Sequence, residues 1–150
     1  MNEIIQYLIG PIRISFLLSL SAYGSCDGMA NCGASSTLYS DKPMIVTYSY
    51  VSMIMVSTVF FYAFIIGIIV MNKIDNNYTF IKSIWDLIAC LLFGCIGLVG
   101  GKSMGLVSKL CFRRIVQKPE FFISFLFSLA SLEVTLILAF LISLLIIYKH

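Results

Sequence analysis

The chain has 150 residues, 60% of them hydrophobic and only 11% charged, with a formal net charge of +3. Soluble domains are about 45–50% apolar and about 25% charged, so this composition excludes a water-soluble enzyme core. It also leaves almost no polypeptide for an extramembrane domain, and no nucleic-acid partner is expected.

A spanning helix needs about 20 mostly apolar residues. Four such runs follow one another: Ile4 to Ser25, Met44 to Met71, Ile84 to Leu110 and Phe121 to Tyr148. The first opens Met-Asn-Glu, without a basic n-region or a clean small-residue cleavage site, and reads as a retained helix and not as a removed signal peptide. The expected fold is an all-α membrane protein of four transmembrane helices.

Five cysteines stand at Cys26, Cys32, Cys90, Cys95 and Cys111. The odd count, with three of them inside the runs, argues against a disulfide framework. A closed zinc site needs four N or S ligands, and His150 is the only histidine, so no metal site is expected and the cysteines read as small packing residues.

Charge sets the orientation. Lys102, Lys109, Arg113, Arg114 and Lys118 face the single acid Glu120 around the third connection, whereas Lys73 and Lys82 are balanced by Asp75 and Asp86 around the second. The positive-inside rule places the connections between helices 1 and 2 and between helices 3 and 4 in the cytosol, with both termini luminal or exterior. Trp85, Tyr78 and Tyr148 would then line the non-cytosolic interface. Asn77-Tyr78-Thr79 is formally a glycosylation sequon, too near the membrane to carry a glycan.

The chain reads as a duplicated hairpin, with repeats 1–73 and 74–150. Lys42-Pro43 opens helix 2 and Lys118-Pro119 opens helix 4, and from each proline the helices align without a gap: Ala63-Phe64 falls on Ala139-Phe140, Gly67 on Ser143 and Lys73 on Lys149. In this register Ser57 falls on Glu133, so one half has an acid that the other lacks. In the first helices, Ser21, Gly24, Gly28 and Cys32 share their spacing with Gly94, Gly97, Gly101 and Gly105. Residues four apart lie on one helix face, and such small-xxx-small ridges let helices approach closely. Helices 1 and 3 should therefore form a tight layer, with the Phe-, Ile- and Leu-rich helices 2 and 4 facing lipid.

An ionised carboxylate near the bilayer centre is costly. Glu133 is therefore expected to hold its proton when it faces hydrocarbon and to release it only beside water or a cation, a property that suits a proton carrier.

These features resemble the proteolipids of the c type in rotary V-type proton ATPases, across nearly the whole chain. The family's Gln-Gln-Pro, apolar stretch and Glu-Val is similar to Gln117-Lys118-Pro119 followed at the same spacing by Glu133-Val134. Ala22-Tyr23-Gly24 resembles the end of the family's first helix, Tyr62 falls on the tyrosine of its Ile-Tyr-Gly, and Gly97, Gly101, Gly105 and Arg113 fall on family positions. Departures include Phe61-Tyr62-Ala63, Leu138, and the charges Arg13, Lys102 and Lys109, which mark a divergent member.

The resemblance implies a ring of proteolipid copies, homo- or hetero-oligomeric. In it Glu133 loads a proton from one half-channel, rides through lipid and discharges into another beside an essential arginine of the a-type stator protein. It further implies the d-type protein of the cytosolic rotor stalk as partner, membrane lipid around the ring, a vacuolar or other acidic endomembrane, and ATP hydrolysis elsewhere in the complex. No cofactor is implied; the proton is the transported ion.

Tyr62 and Ser57 are candidates to hydrogen-bond Glu133 within or between protomers, with plain packing roles as the alternatives. Arg13 could pair with Glu3 or Asp86, or with a lipid phosphate; Lys102 can snorkel. The alternative functions are a c″-type proteolipid, which carries its glutamate in helix 2 where this chain has Ser57, and a small cation or multidrug antiporter, whose acid normally sits in the first helix.

Overall fold

The computed structural model describes residues 2–73 and 80–149, with side chains from residue 10 onward, so Glu3, Asp75, the Asn77-Tyr78-Thr79 sequon and His150 lie outside the described side chains. It contains four long helices in chain order: α1 (Asn2–Thr37), α2 (Pro43–Asn72), α3 (Phe80–Gln117) and α4 (Phe122–Lys149), the last preceded by a single 3-10 turn at Pro119–Phe121.

Two of these helices begin in the same way. Lys42 and Lys118 are both extended, at φ −113°, ψ 99° and φ −138°, ψ 99°. Each is followed by a proline, which disfavours helix at the residue before it and fits the first helical turn, where no backbone donor is needed. Lys42 also donates from its ammonium to the carbonyl of Val116, 3.2 Å away, near the C-terminus of α3. There its charge meets the negative end of the helix dipole. The two prolines thus define one end of the bundle; Lys73, after α2, and the end of α4 define the other.

Two helices run beyond the apolar segments. α3 continues past Leu110 to Gln117, and α1 continues past Ser25 to Thr37, so Cys26, Gly28 and Cys32 lie on a helix and not in a loop. Polar side chains in this stretch bond back to their own helix: Asn31 donates to the Asp27 carbonyl at 2.9 Å, Ser35 to the Asn31 carbonyl at 2.7 Å and Ser36 to the Gly33 carbonyl at 2.8 Å. Among the described residues, three helical segments are long and apolar enough to cross a membrane: Pro43–Asn72, Phe80–Gln117 and Pro119–Lys149. The expected fourth span, Ile4 to Ser25, lies on α1, whose opening residues fall outside the described side chains. At 36 residues α1 is longer than the about 20 that a span needs, and it packs along α3.

α1 and α3 cross at backbone contact. A methyl group built on Gly24 would fall 2.6 Å from the Leu98 Cα, one on Gly101 2.6 Å from the Gly24 carbonyl group, and one on Gly105 2.6 Å from the Gly28 Cα. Gly94 and Gly97 extend this surface toward Leu20 and Ser21, the latter at 3.5 Å. A hydrogen-bonded set crosses the same region, in which Cys32 lies 3.2 Å from Ser52 and Ser52 shares a short hydrogen bond with Ser108, joining α1, α2 and α3. All five cysteines are free thiols.

α2 and α4 flank this pair. Large apolar side chains such as Ile54, Phe60, Phe61, Phe64, Leu138 and Leu145 stand exposed on them. Water would penalise such faces, whereas hydrocarbon does not.

Candidate proton-carrying site

Glu133 stands inside α4, 11 residues after its first residue and 16 before its last. At about 1.5 Å per residue, this puts the carboxylate near the middle of the apolar span. It is half-buried, at the margin of the packed face: Leu129 and Leu136 are buried, Val134 and Ile137 exposed.

Tyr62 of α2 lies on the same side. Its ring packs against Phe140 with centroids 5.3 Å apart and planes tilted by 35°, and Phe140 in turn meets Phe93 of α3 edge-on at 6.3 Å. This aromatic set holds Tyr62 within electrostatic reach of the Glu133 carboxylate. Tyr62 thus stands near enough to Glu133 within a single chain to sense the charge of its carboxylate.

Ser57 is placed differently. It is exposed on the outer face of α2 and donates its hydroxyl to the Ile54 carbonyl at 2.7 Å. Its neighbours in a shallow surface hollow are Ile54, Thr58, Phe60, Phe61 and Phe64. A serine hydroxyl that donates still has lone pairs to accept, and Ser57 presents them at the outer face of α2.

On its other flank, α4 packs closely against α3. A methyl group on Gly100 would come within 2.8 Å of the Leu136 side chain. An apolar groove there is lined by Cys95, Val99, Gly100, Ser103, Leu132 and Thr135, among others. Lys102, on α3 at a similar depth, holds its ammonium 4.6 Å from the centroid of the Tyr23 ring, a cation–π contact.

The charges at the Lys73 end form a second constellation. Arg13 is 1% exposed and Asp86 fully buried, with Nη1 3.8 Å from Oδ2; Arg13 also donates to the Ser83 hydroxyl at 3.4 Å. Lys73 reaches Asp86 Oδ1 at 3.4 Å and donates to the Ile147 carbonyl of α4. Of the partners suggested by sequence for Arg13, Asp86 is in place. From sequence Lys73 is a loop charge and the residue that falls on Lys149 in the repeat, and no periodicity signals that it turns back into the bundle.

The geometry so far defines a class: a helical membrane protein built from two hairpins whose second helices each open on Lys-Pro, with one carboxylate at mid-span on an outer helix. The model of the ATP synthase C-subunit family matches the chain twice, over residues 14–70 and 87–146. The chain belongs to that family. It is similar to the 16 kDa proteolipid of the V-type proton ATPase, of the c type, from Rattus norvegicus, 25% identical over 126 residues that cover 83% of this chain and 81% of the relative. The protein of the same description from Homo sapiens is 26% identical over 121 residues, 80% of this chain and 78% of the relative. The V-type proton ATPase proteolipid of Dictyostelium discoideum is 28% identical over 117 residues, 76% of this chain and 60% of the relative.

Proposed function

We propose that this chain is a proton-translocating proteolipid of the c type in a V-type ATPase membrane sector, with Glu133 as the group that binds and releases the proton. The observation that carries this reading is the position of Glu133: a single half-buried acid at mid-length of an apolar outer helix, in a chain whose two halves each match the same family model. Hairpins 1–73 and 74–150 are its two repeats, and only the second retains the acid.

Copies of the chain, alone or mixed with related proteolipids, form a ring in an acidic endomembrane such as that of the vacuole. The proline end faces the cytosol and the termini face the lumen. Each Glu133 takes a proton from the cytosolic side, crosses the lipid-facing arc in its neutral form because hydrocarbon disfavours the charge, and ionises beside a stator arginine that separates entry from exit. The chain performs no hydrolysis; torque comes from ATP turnover elsewhere in the complex, through a stalk docked on the basic stretch from Lys109 to Lys118.

Tyr62 supports the site within the chain by offering its hydroxyl to the carboxylate. Ser57, exposed on α2, serves a neighbouring copy, where its lone pairs accept from a protonated Glu133.

A hydrophobic carbodiimide tests the assignment, since it attacks a protonated carboxyl from the lipid phase. Peptide mapping of the treated complex should find the adduct on Glu133, with pumping lost in parallel. Loss of pumping with the adduct confined to Asp27, Asp41, Asp86 or Glu120 would refute the assignment.

A further inference from the structure

α4 carries the working carboxylate, yet its hold on the rest of the bundle is uneven. At the proline end Phe122 stacks on Tyr48 of α2 with centroids 3.9 Å apart and planes 18° from parallel. In the middle, Leu136 lies in the space left by Gly100, and Phe140 packs on Tyr62. At the far end, Lys73 donates a hydrogen bond to the carbonyl of Ile147. That carbonyl belongs to the last turn of the helix, where backbone acceptors have no partner within the helix.

Lys73 is itself held. Its ammonium is shared with Asp86, a fully buried acid that Arg13 contacts from the α1 side. The Asp86 carboxylate, contacted from two sides, is held in place between α1 and the end of α2. The chain of contacts Arg13–Asp86–Lys73–Ile147 therefore runs through all four helices, from the tight α1–α3 layer to the end of the outer helix α4.

We infer that Lys73 and Asp86 are positioning residues for Glu133: through the Ile147 carbonyl they fix the rotation of α4 and so keep the carboxylate turned toward Tyr62. This rests on the reading of Glu133 as the proton carrier. Glu133 lies at the edge of the buried face, between buried Leu129 and Leu136 and exposed Val134 and Ile137. A modest rotation of α4 moves it from the α2 side into the lipid-facing surface.

The test uses the assembled complex carrying Lys73→Met, which removes the bond to α4 but leaves Arg13 and Asp86 paired, alongside Lys73→Arg, which keeps a donor. Hydrogen exchange reads the clamp directly. Backbone amides in the last two turns of α4 should exchange about tenfold faster or more in Lys73→Met and at the wild-type rate in Lys73→Arg. Carbodiimide labelling reads the consequence: Glu133 of Lys73→Met should react severalfold faster than in wild type, with Lys73→Arg restoring the slower rate. Unchanged exchange in Lys73→Met overturns the clamp, and faster exchange with unchanged labelling overturns its role in positioning Glu133. Failure of the wild-type complex to label at Glu133 would instead remove the proton-carrier reading and, with it, this inference, while the exchange result would still stand for the clamp alone. If Lys73→Met does not assemble, Lys73→Gln, which retains hydrogen-bonding capacity without charge, takes its place, and an exchange rate equal to wild type there refutes the need for a charged clamp.

Discussion

Gly101 of α3 stands against the backbone of Gly24 in α1, so that a single methyl group on Gly101 would fall 2.6 Å from both the carbonyl carbon and the carbonyl oxygen of Gly24. No side-chain rotation relieves such a contact, because the opposing atoms are main chain. Gly101→Ala should therefore force α1 and α3 apart and cost about 1–3 kcal/mol, the usual range for overpacking. Gly67→Ala is the control, since its nearest atom is the Ile14 Cγ2 at 3.8 Å, an ordinary contact; it should stay within about 0.5 kcal/mol of wild type. Thermal unfolding of the two variants in the same detergent compares them.

Arg13 and Asp86 illustrate how a buried pair differs from a buried charge. Asp86→Leu removes the buried acid that Arg13 and Lys73 share and should cost about 3–5 kcal/mol. Arg13→Leu combined with Asp86→Leu removes both charges and should recover most of that loss, because Lys73, 26% exposed, can turn toward water. A double-mutant cycle on thermal stability measures the coupling. Additive losses would mean that the two side chains contribute independently.

Tyr62 offers a cleaner separation of packing from chemistry. Tyr62→Phe keeps the ring against Phe140 and removes the hydroxyl, so assembly should be unchanged. ATP-driven acidification of vesicles should fall severalfold, as expected for one hydrogen bond of about 1 kcal/mol. Tyr62→Ala loses the ring contact as well and should lower both assembly and pumping. Ser57→Ala leaves the helix intact but removes the acceptor offered to a neighbouring Glu133, so it should also lower pumping severalfold with assembly unchanged.

The helices, the proline starts and the isolated acid were legible in the sequence because each rests on a local signal: an apolar run, a fixed φ, a charge where charge is costly. Helix lengths were less so. The apolar run ends at Ser25, yet the helix continues to Thr37, where Asn31 and Ser35 donate to carbonyls one turn back within it. The glycine spacing gave the surface along which α1 and α3 meet, since a four-residue repeat maps onto one helix face without knowledge of the partner. What surrounds Glu133 was only half legible. Tyr62 is brought near by the aromatic contact with Phe140, which pairs residues from different repeats, and Lys73 finds Ile147 across 74 positions; neither leaves a periodic trace.

The most direct measurement of the central claim is proton flux into vesicles holding the complete ATPase with Glu133→Gln, a substitution that keeps the shape of the side chain but cannot take up and release a proton. The account predicts complexes that assemble at wild-type levels and hydrolyse little ATP when coupled, with acidification abolished and only partly retained in Glu133→Asp. Acidification by Glu133→Gln at the wild-type rate would contradict it.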